Sequence, residues 1–295
     1  MKDINVRPEL SFLVVNFNVL EHVQACVASI CEAVEDSFVH EIIVVDNASG
    51  DGSRDVLATD GRISYKFNEL NLGFGKANNQ AALLATGRYI VVINPDVRIP
   101  RNFDFARALQ RFSDRGDLGQ LSCLVYYGNG QLQTAGEPYP SLGREICRNI
   151  LLLGTRPIKS LLLRSHTWDG ELREVDWVTG SFFMMPAELF RELGGFDERI
   201  FLNGEDLDLS ARVRGVGRIV GVDTGLSIIH LHGAAKRKVG MQVGALQAWR
   251  NLWSTEYVIR KNRLSRFPLL IRILRWLNKI ILLAAQRSGL GRREC

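Results

Sequence analysis

Short apolar runs that end in polar clusters constrain this chain more than any other feature. Residues 10–17, 41–45 (EIIVV), 63–67 and 89–93 each have the length of a strand and are rich in β-branched side chains. Between them, residues 21–34 place Val23, Val27, Ile30 and Val34 on one helical face. Residues 75–85 read as a second helix stopped by Gly87, and residues 54–58 as a short one that Ser53 can cap. A strand that is apolar at every position needs cover on both faces, as in a parallel sheet flanked by helices. Strand–helix–strand succession then implies right-handed crossovers. In such sheets ligands bind beyond the carboxyl ends of the strands. Three polar clusters fall at those ends: 16–18, 46–53 and 94–96.

The second half changes character. Residues 121–127 and 131–134 form an expected hairpin around Gly128-Asn129-Gly130, a strong turn signal. Residues 136–168, with several Pro and Gly, read as an irregular connection, and 175–186 as strand-like. A short helix over 187–193 stops at Gly194-Gly195, and from 244 the spacing is helical. A length of 295 residues suits one core with an appendage. Charge follows the same division. Of 37 Lys and Arg, 14 lie in 236–295, against only two of the 32 acids, Glu256 and Glu294. An acidic body with a basic tail points to an anionic surface as partner. Five cysteines without a C-x-x-C pair indicate a reduced, cytoplasmic protein without a zinc or disulfide framework. The apolar run 10–20 is interrupted by Asn16 and Asn18 and preceded by Glu9, so it reads as a buried strand rather than a signal peptide.

Two acidic motifs carry candidate chemistry. Asp96, in Asn94-Pro95-Asp96 directly after a strand, is placed to hold a divalent metal on a diphosphate; the same three residues also suit a plain turn. Asp46 divides the same way, between accepting a hydrogen bond from a ribose or base and opening a turn. Glu205, Asp206 and Asp208 crowd three carboxylates into four residues between apolar segments. Helix capping explains acids in a first turn, but repulsion and desolvation there raise one pKa, the setting of a general base, and that reading is favoured. His230 and His232 share one face if extended, as ligands or phosphate donors, or as one core and one surface histidine. Lys236-Arg237-Lys238 suits a solvated face or an anionic group. Arg272, Arg275 and Lys279 recur along an apolar helix with Trp276, which fits a helix lying in a bilayer surface over 266–285, or one packed on the protein with its basic ends in water.

Together these segments resemble the family 2 inverting glycosyltransferases of the GT-A fold, especially the bacterial rhamnosyltransferase-like group. The matching pieces are VVNFN (14–18), EIIVVDNASGDGS (41–53), NLGFGKANN (71–79), ATGRYIVVINPDV (85–97), WVTGSFFMM (177–185) and GGFDERIFLNGEDLDLSARVRGVG (194–217), in order up to about residue 233. The resemblance implies an α/β, Rossmann-like, mixed but mainly parallel sheet flanked by helices, with a C-terminal helical extension. It implies a glycosyltransferase domain over 1–235, with a nucleotide-binding half at 8–118 and an acceptor or catalytic half at 119–235, before a basic amphipathic tail at 236–295. Val15, Phe17, Asp46, Asn78, Asn94 and Asp96 would meet the nucleotide donor. Asp206, supported by Glu205, would be the catalytic base, and Thr179, Gly180 and Asp208 would lie near donor sugar and acceptor. A divalent metal, Mg²⁺ or Mn²⁺, would sit at Asp96 with His232; Asn94 stands where the family usually has a first acid, so the carboxylates are fewer. The subgroup suggests L-rhamnose from a deoxythymidine-diphosphate donor, a saccharide or lipid-linked saccharide acceptor, and a peripheral place at the inner face of the cytoplasmic membrane.

Rivals fit less well. Gly73-Phe74-Gly75 begins a dinucleotide fingerprint, but position 78 is Asn where the third glycine belongs. A nucleotidyltransferase wants a glycine-rich basic loop after the first strand, and residues 16–21 offer neither. The tail lacks the interleaved aromatics of a nucleic-acid platform, so no nucleic-acid partner is expected. An inactive, scaffold-like relative at the membrane is the alternative within the family, and the retained Asp46, Asp96 and Asp206 speak against it.

Overall fold

A computed structural model of the chain describes residues 7–34, 38–134, 136–153, 169–231 and 245–287. The chain divides into two compact units, one of residues 1–138 with 168–242 and one of 139–167 with 243–295.

The first unit is built on a mixed sheet. Strands β1 (Leu10–Asn16), β2 (His40–Asp46), β3 (Ser64–Phe67) and β4 (Tyr89–Ile93) are parallel and lie in the order β3-β2-β1-β4. Helices α1 (Leu20–Val34), α2 (Ser53–Leu57) and α3 (Phe74–Leu84) make the crossovers. Because β2 lies on one side of β1 and β4 on the other, the chain reverses direction across β1. Such a switch leaves a crevice outside the strands' carboxyl ends.

Beyond β4 come the short β5 (Val97–Arg98), α4 (Phe105–Asp114), β6 (Leu118–Tyr126) and β7 (Leu132–Thr134). The last two form the antiparallel hairpin expected from Asn129-Gly130. The edge strand β8 (Leu172–Glu174), then β9 (Phe182–Pro186), α6 (Ala187–Glu192), α7 (Glu205–Gly215) and β10 (Ile219–His230) complete this unit. Strand β9 enters antiparallel beside β4, pairing Phe182 with Ile93, while β10 runs parallel to β6 and antiparallel to β5. Only 182–186 of the strand-like stretch 175–186 is a strand.

Alternation along the strands divides the core between the sheet's two faces. Phe12, Val14, Ile42, Val44, Val91 and Ile93 pack on one side with Val23, Val27 and Ile30 of α1. Leu13, Ile43, Ile90 and Val92 pack on the other with Ala77 and Ala81 of α3 and Leu209 and Val213 of α7. This double cover is why the strands show no polar alternation.

The second unit contains α5 (Leu142–Leu153), α8 (Ala245–Lys261) and α9 (Pro268–Arg287). Helix α5 corrects the reading of 136–168 as irregular throughout. Leu142, Ile146 and Ile150 recur at helical spacing, but Pro138, Pro140 and Gly143 hide the start. Within this unit Arg275 of α9 pairs with Glu145 of α5 at 2.7 Å, and Arg272 pairs with Glu256 of α8 at 2.5 Å while lying over the Trp253 ring. No helix among the described residues is long and apolar enough to cross a membrane.

Candidate functional site

The polar clusters at the ends of β1 and β2 form one network. Asp46, last residue of β2, is fully buried. One of its oxygens accepts from Asn16 Nδ2 at 2.7 Å and the other from the backbone N–H of Ser49 at 2.7 Å. The Ser49 hydroxyl accepts in turn from the Asn18 N–H at 2.9 Å, and Asn18 Oδ1 accepts from the Gly50 N–H at 2.7 Å. Asn18 and Ala48 take left-handed backbone conformations, φ 58° and 65°, where these turns cross. Asp46 thus meets the geometry of a turn former: its oxygens anchor the loop after β2. Val15, nearly buried, and Phe17, half-buried, lie beside that anchor at the end of β1.

A second strip of contacts leads from the end of β4 to the start of α7. The Asn94 N–H donates to the Ser181 carbonyl at 2.9 Å, which ties the turn after β4 to the residues that open β9. Asp96, largely buried, has its Oδ1 3.1 Å from His230 Nε2, and His230 Nδ1 lies 3.0 Å from Gln133 Oε1 on β7. Asn94 Nδ2 approaches the same imidazole at 3.5 Å. Thr179 Oγ1 and Ser181 Oγ share a hydrogen bond of 2.7 Å. Next to them the Gly180 N–H donates to Asp206 Oδ2 at 3.0 Å. Gln133, His230, Asp96, Asn94, Ser181, Gly180 and Asp206 are therefore contiguous, although they come from five separate stretches of chain.

Asp206 occupies the first turn of α7 behind Gly204, whose φ of 107° suits glycine. Its Oδ1 also accepts from the Leu207 N–H at 2.8 Å. Two backbone donors and the positive end of a helix favour its charged form. Burial works the other way and wins, holding the Asp206 carboxyl above its ordinary range. Glu205 is buried, its Oε2 has no hydrogen-bond partner among the described residues, and its pKa rises from 4.5 to about 8, first through desolvation and then through the neighbouring Asp206 charge. The pair is thus suited to hold a single negative charge near neutral pH, with the hydrogen-bonded Asp206 as its seat.

The raised Glu205 pKa makes the stability of the fold depend on pH. The fold binds the Glu205 proton more tightly than the unfolded chain does, so this stabilisation is complete below pH 4.5 and is lost as pH rises through about 8. Glu205→Gln removes the titration. Its melting temperature should match the wild type near pH 4.5 and exceed it increasingly toward pH 8. A melting-point difference that does not change with pH would show that Glu205 is not held neutral by the fold.

Asp208, on the same helix, has a different partner. It is fully buried, and its carboxylate accepts from Arg212 Nε at 2.8 Å, one helical turn on. The same guanidinium donates to the carbonyls of Leu193 and Gly195. A buried carboxylate needs such a partner, and this one holds the guanidinium that braces the loop after α6. Asn78 is also fully buried; its Nδ2 donates to the Phe74 carbonyl at 3.0 Å, and its Oδ1 has no partner among the described residues. His232 and Lys236 lie outside the described residues.

The sequence reading missed Gln133, Ser181 and the Gly73–Phe201 contact. The Phe201 carbonyl accepts from the Phe74 N–H at 3.0 Å and joins the start of α3 to the loop before Glu205. Gly73, with φ +88°, signals a special backbone position; nothing local signals that Gln133 meets a residue 97 positions away.

As a metal site the donors are sparse. Among the described residues no group of three or more His, Cys, Asp and Glu is arranged to hold a metal. One carboxylate at a strand end, oriented by an imidazole, fits a divalent ion that arrives with phosphate oxygens, which takes one or two carboxylates from a protein.

Comparison with known proteins agrees with this architecture. The model of "Glycosyl transferase family 2" matches residues 11–194, more than half of the chain. An N-acetylglucosaminyl-diphospho-decaprenol L-rhamnosyltransferase of Mycobacterium tuberculosis is 26% identical over 224 residues, 70% of this chain and 71% of that protein. Among solved structures, the mannosyltransferase PcManGT from Pyrobaculum calidifontis, in complex with GDP-Man and Mn²⁺, superposes with a TM-score of 0.57 at 18% identity, covering 99% of this chain and 77% of the other. GalNAc-T7 with UDP, GalNAc and Mn²⁺ gives 0.58 at 16%, covering 76% of this chain and 43% of the other. A mainly parallel sheet that switches at β1, acids at its carboxyl edge and a family match reaching from β1 past α6 lead to one assignment: the chain is a glycosyltransferase of GT-A fold and belongs to glycosyl transferase family 2.

Proposed function

We propose that the first unit transfers a sugar from a nucleoside diphosphate to an acceptor hydroxyl in one displacement with inversion. The observation that carries this reading is the continuous strip from Asp96 through Asn94, Ser181 and Gly180 to Asp206. It sets a carboxylate suited to phosphate-bound metal and a carboxylate suited to proton removal on the two flanks of one short segment. Val15 and Phe17 flank the nucleoside, with Asp46 acting through the loop it anchors. Asn78 supports the same wall from α3. Asp206 takes the proton of the acceptor hydroxyl; that oxygen bonds to the anomeric carbon as the bond to the diphosphate oxygen breaks on the opposite face. Thr179 and Gly180 border the sugar, and Gly180 orients Asp206. Asp96 would hold a divalent ion, Mg²⁺ or Mn²⁺, that arrives with the diphosphate, and such an ion would supply positive charge to the leaving group; His232, the other expected ligand, lies outside the described residues. The Mycobacterium relative favours L-rhamnose as the sugar and a lipid-linked saccharide as acceptor.

The experiment is a thermal-shift titration with deoxythymidine-, uridine- and guanosine-diphosphate sugars, with and without Mg²⁺ or Mn²⁺. Wild type should be stabilised by one donor class, and more so with metal. Asp96→Ala should lose the metal-dependent part. His230→Ala, removing a residue that orients the Asp96 carboxylate, should weaken it by about 10- to 100-fold, with recovery in His230→Gln. Donor affinity that ignores metal and both substitutions would overturn the Asp96 assignment.

A further inference from the structure

Helix α9 has two faces in different surroundings. Ile271 and Asn278 are buried, and Arg272 and Arg275 turn toward α8 and α5, where Glu256 and Glu145 meet them. These arginines, which from sequence look like an outward basic stripe, are held inside the helical unit. The outward face is apolar instead: Leu269, Leu270, Ile273, Trp276 and Leu277 each expose 40–46% of their surface. At about 100° per residue they fill an arc of roughly 120° along two turns. Isolated exposed apolar residues are ordinary, but a contiguous stripe of five with an indole marks an interaction surface.

Charge identifies the occupant. Lys261, Arg263 and Arg266, all exposed, lead into α9, and the only acid from residue 245 to 287 is Glu256, which is engaged by Arg260 and Arg272. A second copy packed on this stripe would cover the apolar side chains but offer the basic flank no complementary charge, because a twofold interface presents the same patch from both sides and that patch has no acid to spare. An anionic lipid surface complements both features, taking the apolar side chains among its acyl chains and the basic flank among its headgroups. We infer that the outward face of α9, centred on Leu270, Ile273 and Trp276, docks the protein on an anionic bilayer in the plane of its surface. This surface stands apart from the sugar-transfer reading and is tested without it.

The test is flotation of the full chain with phosphatidylcholine vesicles, with and without phosphatidylglycerol. Wild type should float with the anionic vesicles, less with phosphatidylcholine alone, and less again at high salt. The triple variant Leu270→Gln, Ile273→Gln, Trp276→Gln should lose about 100-fold in partitioning, since three half-exposed apolar side chains no longer enter the bilayer. Arg263→Glu with Arg266→Glu should lose at least about tenfold on anionic vesicles and little on neutral ones; this second variant keeps the question decidable if the first misfolds by circular dichroism. Wild type that fails to float with phosphatidylglycerol vesicles, or a folded triple variant that floats as well as wild type, would overturn the docking surface. So would a concentration-dependent dimer, seen by light scattering, that the triple variant abolishes, because a second copy would then own the face.

Discussion

Asp206→Asn should lower the turnover of sugar transfer by about 10²- to 10⁴-fold, the usual contribution of a positioned general base, with donor affinity close to wild type. The amide keeps the size of the carboxylate, so α7 and the Gly180 contact at 3.0 Å survive, at least through the Oδ2 position that accepts the N–H. What disappears is the basic oxygen. Because burial raises the Asp206 carboxyl, the wild-type rate should fall on acidification at a higher pH than an ordinary aspartate would give. The residual rate of the variant should not follow that limb. Measuring initial rates against pH, with donor binding measured separately by thermal shift, distinguishes the roles. A variant with full turnover would remove Asp206 as base. A variant that loses donor binding as well would make it part of the donor site. Glu205 serves as the internal contrast: its carboxyl is buried and neutral over most of this range, so Glu205→Gln should change stability and its pH dependence more than turnover.

The sequence carried the first hundred residues because their signals are local. Val23, Val27, Ile30 and Val34 lie within one helix, and EIIVV ends at the carboxylate that opens a turn, so periodicity and turn chemistry suffice. The hairpin around Asn129-Gly130 was legible for the same reason. Helix α5 was not, since two prolines and a glycine surround its start. Asp208 shows a different limit. Three acids within four residues read alike in sequence, but α7 turns Asp206 toward Gly180 and Asp208 toward Arg212. Only the helix phase separates their surroundings. The arginines of α9 repeat the lesson. Arg272 and Arg275 recur at the spacing of an exposed stripe, yet Glu256 and Glu145 lie on other helices at sequence distances no spacing rule reaches. The contact of His230 with Asp96 depends likewise on β10 ending beside β5, a register fixed by the whole sheet.

Gly73→Ala should destabilise the protein by about 2–6 kcal/mol, summing the strain of a non-glycine residue in a sparsely allowed conformation with the cost of overpacking. Gly73 caps α3 with φ 88° and ψ 170°. A Cβ there would lie 2.4 Å from the Phe201 carbonyl oxygen and 2.9 Å from the Phe201 ring. The ring can rotate away; the carbonyl cannot, because it accepts the first N–H of α3 from Phe74 at 3.0 Å. Nor can Gly73 retreat easily, since its N–H donates to Asn71 Oδ1 and its carbonyl accepts from Asn47 Nδ2, both at 3.0 Å. The strain must pass into residues 201–204, the loop that delivers Glu205 and Asp206, where Asn203 and Gly204 already hold positive φ values of 67° and 107°. A shift of about 1 Å in a catalytic group can cost on the order of 100-fold in rate, so turnover should fall further than the stability loss alone explains. Gly61→Ala is the control: no atom lies within 4 Å of its added Cβ and its φ is ordinary, so it should stay within about 0.5 kcal/mol of wild type. Denaturant midpoints for both variants, with turnover measured well below the midpoint, separate the two effects. If folded Gly73→Ala turns over like wild type, the loop absorbs the strain without moving Asp206, and the tight join between α3 and the acidic turn is structural only.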